Sequence, residues 1–101
     1  MFNNSRYVTA GVMAEVPVEQ QLLMWSIIDK FLESGKEVDY LQVMELSIHA
    51  DKSGRKEQVI KHRQEVPSYQ QEYIAIVENP IEEQLFIIDD GQSTMLLASE
   101  Y

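Results

Sequence analysis

Between Pro17 and Leu32 the chain reads PVEQQLLMWSIIDKFL, and its polar residues do not alternate with its apolar ones. Stepped at about 100° per residue, Glu19, Ser26, Asp29, Lys30 and Glu33 gather into one arc, and only Leu22 interrupts it. Met24, Trp25, Ile27, Ile28, Phe31 and Leu32 fill the other side, with Val18 and Leu23 at its margins. That spacing predicts a helix. Pro17 suits a first helical position because its φ is already helical and its missing N–H would have no partner there. Glu19 lies where the helix dipole favours negative charge, and Gly35 after Ser34 is a natural left-handed stop. The apolar side is wider than the roughly 100° stripe of an ordinary surface helix, so the helix should be covered from more than one direction. Trp25 is expected in the core, with Trp25→Ala costing about 3–5 kcal/mol.

Most of the remaining chain alternates with a period of two. Residues 1–5 should fray. RYVTAGV, from Arg6 to Val12, reads as a first strand, with Gly11 marking a bulge. From Tyr40 to His49, the residues Tyr40, Gln42, Met44, Leu46 and Ile48 share one face, the pattern of a half-buried strand. The turn DKSGR fits a three-residue loop, Lys52 to Gly54. It pairs His49 with Glu57, Glu45 with Lys61 and Leu46 with Ile60; a two-residue loop would oppose Leu46 to Lys61, a poorer match. Val66 and Pro67 end the returning strand. EYIAIV, Glu72 to Val77, is the next. QLFIID and STMLLAS, joined by Asp90 and Gly91 as a type I′ turn, form a final hairpin that sets Ile88 by Ser93, Phe86 by Met95 and Leu85 by Leu96.

One strand, one helix and then a run of strands with short connections predict an α+β fold. One helix packs on a curved, mostly antiparallel, meander-like sheet of five to six strands, as a single domain over residues 1–101. The late strands are apolar on both faces. Either the sheet curls around its helix or the surplus is an interface. The candidate partner surface is Phe86, Ile88, Met95 and Leu97, for a second copy or another protein.

Charge changes this picture in one place. Seventeen acidic and eight basic residues give a formal charge of −9, which speaks against direct nucleic-acid binding by the whole surface. Five of the bases, Lys52, Arg55, Lys56, Lys61 and Arg63, crowd into residues 50–63 with only Asp51 and Glu57 beside them. That hairpin is the candidate patch for a polyanion or an acidic partner. It would equally serve as a charged edge that blocks aggregation. The acidic remainder admits a protein that imitates the phosphate array of DNA.

Catalytic chemistry has little to stand on. There is no cysteine, hence no thiolate ligand or nucleophile. The four glycines lie singly, so no phosphate loop forms. His49 and His62 fall on opposite faces of their hairpin, which argues against a shared metal site, and both are expected at the surface. Ser47, His49 and Asp51 alternate along a strand and do not converge on a nucleophile. The reading is no catalytic residues, no cofactor, no metal and no enzyme. No apolar run reaches the roughly 18 residues of a membrane span, and MFNNSRY lacks a signal peptide's apolar segment, so a cytoplasmic location is expected.

The segments SRYVT, VPVEQQLLMW, DYLQVMEL and IIDDGQSTMLLASEY together resemble a family of small acidic proteins from Gram-positive bacteria and their mobile elements, catalogued as domain of unknown function nine hundred and sixty. The resemblance runs the whole length, and the end motif is its most specific part. It implies a bacterial single-domain protein and brings no activity, cofactor or site residue. The function expected is therefore a non-enzymatic interaction or adaptor domain, with a nucleic-acid-linked regulator or a DNA mimic as the alternatives.

Overall fold

The helix predicted from Pro17 is the largest element of the computed structural model, which describes all of residues 1–101. In chain order the elements are β1 (Arg6–Val8), α1 (Ala10–Glu15), α2 (Val18–Glu33), β2 (Leu41–Ala50), β3 (Lys56–Gln64), β4 (Tyr69–Ala75), β5 (Glu83–Asp89) and β6 (Ser93–Leu97), closed by a 3-10 turn over Ala98–Glu100. Pro17 stands one position earlier than expected, as the cap residue with extended backbone, and Gly35 takes the left-handed conformation that stops the helix, φ 74°. The face of α2 turned to the sheet buries Met24, Ile27, Ile28 and Phe31, together with Gln20. Leu22, the residue that broke the polar arc, is exposed. Trp25 is a correction: it lies only partly buried at the core's margin, with the Arg6 guanidinium 4.9 Å above its ring. Arg6 also pairs with Asp29. A partly buried indole loses less on truncation, about 2 kcal/mol rather than 3–5.

The six strands form one sheet in the order β1-β6-β5-β2-β3-β4, antiparallel except for β1 against β6. This is not a meander throughout. From β4 at one edge the chain returns across β3 and β2 to place β5 beside β2. The connecting residues 76–82 pass over the helix side of the sheet near the start of α2, where side-chain amides hold their backbone. Gln58 donates to the Ile81 carbonyl and accepts from the Ile81 N–H, both 2.9 Å, and Gln20 donates to the Asn79 carbonyl, 2.6 Å. Gln20 and Gln58 are fully buried. They satisfy backbone groups that no ladder reaches, as burial requires.

The β2–β3 register agrees with the charge-matched prediction, including Glu45↔Lys61, Leu46↔Ile60 and His49↔Glu57. Asp51 closes the loop by accepting from the Ser53 hydroxyl and from the Ser53 and Arg55 amides. Three other expectations are overturned. The first strand stops at Val8, because Thr9 caps a helix instead: its hydroxyl oxygen accepts the Val12 N–H at 3.2 Å. Gly11 is therefore helical and marks no bulge. A Cβ there would lie 2.6 Å from the Glu100 carboxylate, which accepts the Thr9 hydroxyl and the Leu97 N–H. The fourth strand runs over Tyr69–Ala75 rather than Glu72 to Val77. The amino-terminal residues are not frayed: Phe2 is buried, and its N–H donates to Asp89 at 2.6 Å.

Asp89 also corrects the last hairpin. Its carboxylate accepts the Gly91 N–H at 3.0 Å and the Asn4 amide at 3.2 Å, so Asp89 pairs with Ser93 across a three-residue loop, Asp90 to Gln92, with Gly91 at φ 105°. Leu85 then opposes Leu97, Phe86 opposes Leu96 and Ile87 opposes Met95. A one-residue slip reverses which pairs share a face. Leu85, Ile87, Met95 and Leu97 all point into the core under the helices, while Phe86, Ile88 and Leu96 point away from it. No helix is long and apolar enough to cross a membrane.

Candidate interaction surfaces

The face of the sheet away from α2 has two halves, and alternation along each strand decides what they carry. Across β1, β6, β5 and β2 the neighbouring positions are Tyr7, Thr94, Leu96, Ile88, Phe86, Leu41 and Val43. No helix covers them. Val43 is buried, Tyr7 is half exposed, and Phe86, Ile88, Leu96 and Leu41 lie between. The Tyr101 ring stands edge-on over Phe86 at 5.2 Å. Contact with the Tyr101 hydroxyl raises the pKa of Tyr40 beside it, so a tyrosine pair rims the patch. Of the four residues expected to form the partner surface, Phe86 and Ile88 belong here. Met95 and Leu97 belong to the core, for the register reason given above.

The other half of that face is charged. Gln84, Glu45, Lys61 and Glu72 line up across β5, β2, β3 and β4. Arg63 pairs with Glu45 at 3.0 Å and reaches Glu65 at 4.0 Å. The basic hairpin is thus divided. Lys61 and Arg63 sit among carboxylates in mid-sheet, whereas Lys52, Arg55 and Lys56 gather near the tip, where β2 runs past the end of β5 and the residues Ser47 to Ala50 are exposed. Arg55 is partly neutralised there by Asp51 at 3.5 Å.

His62 was expected at the surface and lies fully buried beneath α2. Its Nε2 is 2.6 Å from Gln42 Oε1, and Gln42 donates in turn to Gln64 at 2.8 Å. Gln64 donates to the carbonyls of Glu37 and Pro67, tying the β2 and β4 approaches together. Phe31 meets the imidazole edge-on at 5.0 Å. Desolvation lowers the histidine pKa to about 4, so the ring is neutral, with Nε2 donating and Nδ1 left without a partner. His49, on the opposite face, pairs with Glu57 at 3.2 Å. No group of three or more histidines, aspartates or glutamates is placed to hold a metal ion.

Beside β4 a groove runs along α2. Its apolar end, of about 240 Å³, is lined by Leu23, Ile27, Ile60, Tyr73, Ile74 and Ala75. Its polar end reaches Ser34, Tyr69 and Gln71. Lys30 separates the two, with its ammonium 5.6 Å from the Tyr73 ring.

Fold and surfaces together define a small α+β protein, a helix layer on one side of an open six-stranded sheet. Residues 5–100 match the family described as "Staphylococcal protein of unknown function (DUF960)", and the chain belongs to that family. A crystal structure described as a protein of unknown function from Enterococcus faecalis is similar over 98% of this chain and 92% of its own, with 24% identity and a TM-score of 0.76. That likeness supports the fold. No curated protein matches the chain.

Proposed function

We propose that this protein is a non-catalytic interaction module, and that the apolar half of its open sheet face joins it to a second copy of itself. The observation that carries this reading is the set Tyr7, Leu41, Phe86, Ile88 and Leu96, contiguous on a face that no helix covers. Tyr7 is exposed and the other four are partly so, and contiguous apolar surface of this kind marks interaction sites. A twofold contact buries the same patch on both copies and needs no second complementary surface. Sedimentation over a range of concentrations tests it. Wild type should associate and Ile88→Glu should not, while Ile74→Glu, on the distant β4, should behave as wild type. Equal behaviour of wild type and Ile88→Glu would remove the patch from the interface.

A second reading has its own observation, the cluster of Lys52, Arg55 and Lys56 near a protruding hairpin tip. A nucleic-acid-linked role predicts binding that weakens steeply with salt and vanishes when the three are neutralised. Indifference of a DNA or RNA probe to that triple change would dismiss it.

A further inference from the structure

The two edges of the sheet differ. β1 is three residues long and flanked by α1, and its Arg6 is engaged with Asp29 and Trp25. β4 is seven residues long, contains no proline, and makes no backbone hydrogen bond beyond its ladder with β3. Its outer edge therefore presents N–H and C=O groups with no backbone partner, which most edge strands of this length conceal; of these the Glu72 carbonyl accepts only the exposed Gln71 side-chain amide, at 3.2 Å. Beside that edge lies the α2–β4 groove, and the two run together from Tyr69 to Ala75. At about 240 Å³ the apolar end is smaller than a typical small-molecule site of roughly 300–1,000 Å³. It suits side chains carried on an extended backbone.

We propose that the outer edge of β4 takes up an extended segment of a partner protein by strand addition, with alternating aliphatic and basic side chains. Main-chain hydrogen bonds would supply affinity, and alternate pockets selectivity. The alternation follows from the faces of β4. Side chains that share a face with Tyr73 and Ala75 enter the groove, whose walls are Leu23, Ile27 and Ile60. Side chains on the other face meet Glu72, which takes part in none of the five ion pairs of the structure. A lysine or arginine opposite Glu72 would give it one. The same residue disfavours a second copy as occupant. Glu72 is the middle residue of β4, so twofold antiparallel pairing of the whole strand with itself sets Glu72 against Glu72, and like charges directly opposed destabilise a sheet. This inference does not rest on the dimer proposed above, which uses the other half of the molecule.

The test uses the full chain and a fluorescein-labelled peptide of sequence Lys-Val-Lys-Val-Lys-Val-Lys, read by anisotropy. Saturable binding is expected, with slowed amide exchange confined to Tyr69–Ala75. A block peptide of the same composition, and one N-methylated at alternate residues so that it cannot complete the ladder, should bind at least about tenfold more weakly. Glu72→Lys should weaken the lysine peptide about tenfold and favour its glutamate counterpart. Absence of binding, equal binding of the block or methylated peptide, or indifference to Glu72→Lys would overturn the proposal. Exchange within β4 that slows with protein concentration alone would also overturn it, by showing that a second copy holds the edge.

Discussion

Under its helices the sheet is built in two ways. Beneath β1, β6 and β5 the layer is apolar but for Ser93, whose hydroxyl donates to Asn4: Val12, Ile28, Leu85, Ile87, Met95 and Leu97 close on one another around Phe2. Beneath β2 and β3 the equivalent layer alternates Met44, Leu46 and Ile60 with Gln42, Gln58, His62 and Gln64, all buried. The apolar half needs only shape and size, since apolar burial has no direction. The amide half is there because connections must be held: Gln58 grips the crossover at Ile81, and Gln64 grips the chain at Glu37 and Pro67. One half is held by packing, the other by hydrogen bonds that require particular partners.

That contrast can be broken at four places. Ile87→Ala should cost about 2–5 kcal/mol, by the same amount at pH 7 and pH 5 in denaturant titrations, because the side chain belongs to the apolar cluster and its removal takes away packing rather than charge. In the amide half, pH itself should act. His62 is held neutral, its pKa lowered to about 4 from 6.5. The unfolded chain therefore binds a proton that the folded one refuses. Stability is fully present above pH 6.5 and falls by about 3 kcal/mol as pH drops towards 4. His62→Gln, which can still donate to Gln42, should flatten stability over that window; an unchanged slope would place the titration elsewhere. Asp51, Asp89 and Glu100 are held below the ordinary carboxylate range, chiefly by the Ser53 hydroxyl, the Phe2 N–H and the Thr9 hydroxyl respectively. Their contribution is lost only once pH falls into the ordinary carboxylate range of about 4–4.5, so the fall above that range belongs to His62.

Gln58→Ala should cost about 1–3 kcal/mol by leaving the Ile81 amide without its acceptor, and amide exchange at Ile81 should quicken while that at Ile87 does not. Neutralising Lys52, Arg55 and Lys56 together should change stability by less than about 0.5 kcal/mol per residue, as exposed charges usually do. A larger loss would give the hairpin tip a structural role.

The sequence revealed those features whose causes are local. The spacing of α2 and the opposed charges of β2 and β3 both act within a few residues or across one turn, and both were read correctly. The β5–β6 register was not, because Asp89 takes donors from Phe2 and Asn4, more than eighty residues away. A two-residue aspartate–glycine turn looks equally good until that long-range bond exists. Helix α1 did have a local signal, Thr9 as a capping residue ahead of AGVMAE, which the β-forming residues before it obscured. His62 shares its strand face with the buried Ile60 and packs edge-on beneath Phe31, whereas its polarity alone points to the surface. The open apolar face was half legible for a related reason: Phe86 and Ile88 lie on it, while the register carries Met95 and Leu97 into the core.

Whether the open apolar half of the sheet joins two copies of the chain can be read from molar mass in solution, by light scattering after size exclusion. At both low and high salt the proposed dimer should show about twice the 11.7 kDa chain mass, since an apolar contact is not screened as an ionic one is. A species of 11.7 kDa at both salts would contradict it.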